Sequence, residues 1–162
     1  MERQIRTAGH FHVIVSAYHK AVHTPATPRR VLVVDDNEDT ARSFFELLVV
    51  MGHQCEFRTE PKEVLDTARA FRPDLVLLDI GMPEVDGHQV ARLLRSEFGA
   101  ELRIVAITAY ARDEDRQRTR KAGFDAHVTK PVDIPILESI LSTLKDSPAA
   151  RVAASLKAPK LL

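Results

Sequence analysis

Residues 31–39 read VLVVDDNED: four apolar residues run without interruption into two adjacent aspartates. The apolar run is too short for a helix and lacks the alternation of a strand with one wet face, so it fits a strand buried on both sides. Two like charges at the end of such a strand repel each other unless something beyond the strand uses both. The questions are therefore how many strands of this kind the chain holds and what stands at their ends.

Four more short apolar runs follow: QCEF (54–57), DLVLLDI (74–80), RIVAIT (103–108) and AHVT (126–129). Segments of helical period separate them. Ala41, Phe44, Phe45 and Leu48 share one helical face. Pro61 stands where a helix begins, before Val64, Leu65 and Ala68, and Asp86 with Gln89 forms an N-terminal cap ahead of Val90, Leu93 and Leu94. The segment 112–123 has almost no apolar face, whereas Leu137, Ile140, Leu141 and Leu144 repeat at i, i+3, i+4, i+7. Five strand–helix units with near-continuous apolar strands imply an α/β fold, a doubly wound five-stranded parallel sheet with helices on both faces. The folded unit is expected over 29–145, between a flexible N-terminal extension (1–28) and a flexible C-terminal tail (146–162).

The 162 residues include 23 Lys+Arg and 23 Asp+Glu, so the formal net charge is zero. That balance makes no case for nucleic acid or an anionic membrane as a direct partner. Cys55 is the single cysteine, which excludes an internal disulfide; its expected place is a small buried apolar side chain. No apolar run approaches the roughly 20 residues that span a bilayer. FHVIVSAY (11–18) is interrupted by a histidine and precedes no small-residue cleavage site, so a cytoplasmic location is expected. Residues 1–28 hold four of the seven histidines (His10, His12, His19, His23) and end in HTPATP; the reading is a flexible leader rather than a metal site.

Ligands of an open parallel sheet bind outside the carboxyl ends of its strands. Those ends carry Asp35 and Asp36 after the first strand, Asp79 at the third, Thr108 at the fourth and Lys130–Pro131 after the fifth. Singly, each has a bland reading: an aspartate after a strand is usually a cap or turn former, a lysine before proline a loop charge. Jointly, three acids, a hydroxyl and an ammonium meet on one edge. Three crowded carboxylates call for a cation, and an oxygen-only set suits Mg²⁺.

With these pieces in order, VVDDNED, LVLLDIGMPEVDG, IVAITAYARDED and AGFDAHVTKPVD, the chain resembles the receiver domain of two-component response regulators, the flavodoxin-like fold of the chemotaxis regulators. The last phrase is most similar to receivers attached to hybrid sensor histidine kinases. The resemblance implies that Asp79 is the phosphoacceptor. It implies that Asp36 binds Mg²⁺ directly and Asp35 largely through water, with Asp79 and the Gly81 backbone carbonyl also serving as ligands. Thr108 and Lys130 would bind phosphoryl oxygens, and the Lys130–Pro131 peptide would be cis. Thr108 would relay the signal with His127, which stands where the family usually has an aromatic toggle. The phosphoryl source would be a histidine kinase or a histidine phosphotransfer protein and the output an unknown downstream protein. The face of the fourth and fifth helices would serve for a homodimer. The protein would assist its own phosphorylation and dephosphorylation only. Gly81 and Tyr110 suggest slow self-hydrolysis.

Phosphorylated Asp79 would carry about two negative charges beside Asp35 and Asp36, which a divalent ion and one lysine nearly balance. Three other readings compete. A receiver fold used only for docking need not keep the acids. A phosphohydrolase of similar fold wants an acid two residues after its nucleophile, where Asp35 is followed by Asn37; a flavin or dinucleotide protein wants a glycine-rich loop after the first strand, and none follows.

Overall fold

The computed structural model describes residues 27–83, 85–109 and 113–144. Its strands are β1 (Arg30–Val34), β2 (Gln54–Arg58), β3 (Leu75–Asp79), β4 (Arg103–Thr108) and β5 (Ala126–Thr129). The helices are α1 (Glu38–Val50), α2 (Val64–Phe71), α3 (Gly87–Phe98), α4 (Asp113–Lys121) and α5 (Ile134–Ser142). All strand pairs are parallel, in the order β2-β1-β3-β4-β5. The chain thus starts near the middle of the sheet, winds to one edge, then crosses back. The order reverses between β1 and β3, which puts the crevice beyond their carboxyl ends.

Alternate strand residues feed two cores. Leu32, Val34, Val76, Leu78, Ile104 and Ala106 face Val64, Ala68, Val90, Ala91 and Leu94 of α2 and α3. Val31, Val33, Leu75, Leu77, Val105 and Ile107 face Ala41, Leu47 and Leu48 of α1 and Leu137 and Leu141 of α5. A strand apolar at every position is what a sheet covered on both faces requires.

Several details differ from the sequence reading. Asp35 lies one residue past β1, and β3 begins at Leu75. A single 3-10 turn, Pro61–Glu63, precedes α2 because proline suits a first turn and lacks the donor that a helix interior needs. Leu93, assigned to the inner stripe of α3, is 57% exposed, because Val90, Ala91 and Leu94 fill that stripe. Cys55 is half-buried on the edge strand rather than enclosed; burial, with Glu56 nearby, pushes its thiol up to about 12, so it stays an unreactive thiol. Among the described side chains of α4, only Thr119 is buried, as expected from its polar sequence. Among the described residues no helix is long and apolar enough to cross a membrane. The leader histidines, the tail and Tyr110 lie outside the described residues.

At the opposite edge from the acids, Arg29 closes the fold. Its guanidinium donates to the Leu144 carbonyl (2.8 Å), and its amide donates to Nδ1 of buried His53 (3.1 Å). His53 must present a bare nitrogen there, and burial, then the Arg29 charge, holds its pKa below the usual 6.5. The folded state therefore binds this proton less readily than the unfolded chain. Stability should fall as pH drops below about 6.5, by about 1.4 kcal/mol for each unit of depression, and level off below the folded pKa. His53→Gln keeps an acceptor without titrating. Denaturant titrations of both proteins across this range should show an acid-side loss in wild type that the variant lacks; parallel curves would remove His53 from the explanation.

Candidate phosphoacceptor and metal site

The site is assembled from loops that start where strands stop. Asp35 follows β1 and is 2% exposed; its amide donates to the Arg58 carbonyl of β2 (3.2 Å). Its Oδ1 accepts from the Asn37 amide (3.0 Å), a short local turn that fixes the side chain. Asn37 in turn caps α1 by accepting from the Thr40 amide (2.9 Å). Asp36 lies between them, exposed to solvent. The backbone therefore turns one aspartate inward and leaves the next at the mouth.

Asp79 is the last residue of β3 and is buried. Its Oδ1 accepts from the Gly81 amide (2.8 Å), and its Oδ2 accepts from Lys130 Nζ (2.8 Å). The same ammonium donates to Asp35 Oδ2 at 2.7 Å. Lys130 is presented by a cis peptide to Pro131, and its amide donates to the Thr108 carbonyl at 2.7 Å. Thr108, 1% exposed at the end of β4, is thus tied to Lys130 through the backbone. Together with Ile80, Gly81, Asp86, His88, Asp115 and Arg118 it lines a crevice beside the acceptor loop.

The electrostatics are lopsided. Burial pushes the Asp35 carboxyl above its ordinary value, although Lys130 and the Asn37 amide pull the other way. Burial also opposes the Lys130 charge, yet its hydrogen bonds to Asp35 and Asp79 prevail and raise its pKa. Asp35 is the deeper partner, so desolvation dominates there and pairing dominates at the lysine.

One carboxylate oxygen from each of Asp35, Asp36 and Asp79 lies within 4.8 Å of the others. When all three are ionised, the single ammonium leaves two negative charges uncompensated. All the donors are hard oxygens with one acid open to solvent, a set that fits a divalent cation such as Mg²⁺. The sequence-selected Asp35, Asp36, Asp79, Thr108 and Lys130 therefore converge at one edge, and Gly81 adjoins Asp79. His127 lies apart on β5, paired with Ala106 and half-buried. The strand's alternation puts it on the face opposite Ala126 and Val128, which pack with α1 and α5.

Two contributors escaped the sequence reading. Met82 is buried in the core of the α2–α3 face and pins the loop after Asp79. Gly87, the first residue of α3, lets the helix meet that loop: a Cβ there would stand 2.6 Å from the Asp79 carbonyl oxygen and 2.8 Å from Ile80 Cα. Backbone cannot swing aside as a side chain would. Gly87→Ala is expected to lower stability by about 1–3 kcal/mol, the usual cost of overpacking, despite alanine's better helix propensity. Chemical denaturation measures this, and an unchanged or raised midpoint would refute the close approach. The Asp-Gly pair before a helical period was the available signal, as a cap followed by a residue without Cβ.

The chain is similar to known proteins. A family model described as "Response regulator receiver domain" matches residues 31–142. The polar-differentiation response regulator DivK of Brucella anthropi is 38% identical over 124 residues, covering 74% of this chain and 99% of that protein. DivK of Brucella ovis is 37% identical over 123 residues, covering 74% and 98%. Among solved structures, a CheY-like receiver domain protein from Methanospirillum hungatei superposes with a TM-score of 0.66 at 27% identity, covering 73% of this chain and 94% of that one. Vibrio cholerae CheY4 gives a TM-score of 0.68 at 23% identity, covering 73% and 99%, a likeness of fold alone.

Proposed function

The chain belongs to the response regulator receiver domain family of two-component signalling, and from that premise we propose that Asp79 is its phosphoacceptor. The observation that carries this reading is the Lys130 ammonium, which bridges Asp35 and Asp79 inside a cluster of three acids at the strand ends.

In this reading Asp79 attacks the phosphorus of a phosphohistidine on a histidine kinase or histidine phosphotransfer protein, or of a small phosphodonor. An O–P bond forms at its carboxylate as the donor's P–N or P–O bond breaks, and the donor leaves with that electron pair. Both Asp79 oxygens accept hydrogen bonds, and each keeps a lone pair with which to attack. Asp35 and Asp36, with Asp79 and the Gly81 carbonyl, would hold Mg²⁺, which when bound offsets the charge gathered on the phosphoryl oxygens. The Gly81 amide and Lys130 hold the acceptor carboxylate in position. Such a transfer depends on positioning and charge neutralisation rather than on proton chemistry.

The signal leaves through Thr108. Its backbone link to Lys130 joins the two groups expected to meet the phosphoryl oxygens, and β4 leads from it toward weakly buried α4. Displacement of α4, accompanied by reorientation of His127, would alter the surface offered to a downstream protein.

The test is intact-mass measurement after incubation with a small phosphodonor, with magnesium or with a chelator. One phosphoryl group should be added with magnesium and at least tenfold less with the chelator. No adduct with any donor would favour a docking module, and an adduct indifferent to the chelator would refute the metal's part.

A further inference from the structure

The two ends of α4 are held very differently. In its first half Glu114, Arg116, Gln117 and Arg118 are exposed and Asp115 is half-buried, so little burial holds that part to the sheet. The far end is fixed. Thr119 is 1% exposed, and Ala122 and Phe124 lie in the core on the α2–α3 face. Between them Gly123 takes φ +94°, a conformation that favours glycine, and closes the helix. Its amide donates to the Arg120 carbonyl (3.1 Å), and the Phe124 amide donates to the Thr119 carbonyl (3.3 Å).

Arg95 of α3 bolts this end in place. A guanidinium carries five N–H donors in a rigid plane, and here each finds an acceptor. Nε (3.0 Å) and Nη2 (2.7 Å) both donate to the Gly123 carbonyl, and Nη2 also donates to Asp125 Oδ2 (2.8 Å). Nη1 donates to the carbonyls of Gly99 (2.5 Å) and Leu102 (2.8 Å), just before β4. Asp125 Oδ2 accepts in addition from the Ile104 amide (2.8 Å), which ties the assembly to β4 itself. The missing side chain of Gly123 lets the arginine stem pass, since a Cβ there would stand 3.2 Å from Arg95 Cγ. These acceptors precede or begin β4 and β5, so the bolt lies at the amino edge of the sheet, opposite Asp79 and Thr108.

We propose that α4 works as a lever hinged at Gly123, with Arg95 as the positioning residue that keeps its fulcrum fixed. This rests on the reading above in one respect, that a phosphoryl group at Asp79 displaces α4 through Thr108. A helix loose at the Thr108 end and bolted at the other converts a small push into a swing that grows toward Thr108. A rise of about 1.5 Å per residue puts Glu114 about 14 Å from Gly123 and Lys121 about 3 Å, so the two should move in a ratio of about four. An arginine that merely added stability would impose no such gradient. Lysine cannot replace it, because three donors on one nitrogen cannot serve four acceptors spread around a plane.

The experiment measures spin-label distances in the full chain with Cys55→Ser. Reference labels placed in turn at exposed Ala70 on α2 and Glu46 on α1 are paired with Glu114→Cys or Lys121→Cys, both also exposed. Magnesium with beryllium fluoride, whose tetrahedral adduct on a carboxylate has the shape of a phosphoryl group, is the activator. It should displace the Glu114 label about four times as far as the Lys121 label. Equal displacement, as for a sliding helix, or a larger one at Lys121 would overturn the hinge, as would a bound adduct in fluorine NMR with neither label moved. The same distances in Arg95→Lys protein without activator test the fulcrum independently of Asp79. The distribution at Lys121 should widen more than that at Glu114; equal widening, or none, would overturn the proposal. Absence of any bound adduct would count against the Asp79 reading, and the resting comparison would then decide the hinge.

Discussion

Asp79→Asn protein is expected to gain no phosphoryl mass under conditions that fully load wild type. The substitution replaces one oxygen with an NH₂ group of the same size, so the loop after β3 should survive. The amide oxygen can still accept from the Gly81 amide or from Lys130. What disappears is the anionic nucleophile, whose loss typically costs on the order of 10⁶ in rate. Stability should move the other way or stay level. Removing one of three crowded carboxylates relieves repulsion, and Lys130 keeps its short contact with Asp35. Intact-mass spectra and a thermal melt of the same sample read both effects. An adduct of wild-type extent on the variant would move the acceptor elsewhere, and a collapsed melt would mean that Asp79 serves mainly to hold Lys130.

The sheet was legible because strands covered on both faces must be apolar throughout, and Val31–Val34, Leu75–Leu78 and Ile104–Ile107 leave no other reading. The site was legible for a related reason: in a parallel sheet the carboxyl ends share one edge, so charges that terminate strands must meet. Sequence position could not reveal which of two adjacent aspartates turns inward. That depends on the Asn37 amide reaching Asp35 Oδ1 and on the bond from the Asp35 amide to Arg58, a residue 23 positions away. Leu93 was misplaced because an inner stripe is set by the angle at which α3 lies on the sheet, and hydrophobicity alone cannot report that angle.

Lys130→Ala separates the lysine's two duties. In the resting protein its ammonium lies between Asp35 and Asp79 at 2.7 and 2.8 Å; without it, two buried carboxylates face each other. Stranding a buried charge costs about 3–5 kcal/mol. The lysine head is about a quarter exposed, so about 2 kcal/mol is the expected loss at neutral pH. Asp35, already pushed up by burial, would bind a proton still more readily. Saturating magnesium should restore most of this stability, because a divalent ion neutralises the same acids. It should not restore phosphorylation. Lys130 is expected to meet a phosphoryl oxygen as charge redistributes during transfer, and deleting one such preorganised donor typically costs about 10²–10³ in rate. Melts with and without magnesium, beside initial rates of adduct formation at saturating magnesium, test the division. If magnesium rescued the rate as fully as the melting midpoint, Lys130 would be a counter-ion of the resting pocket with no share in the transfer.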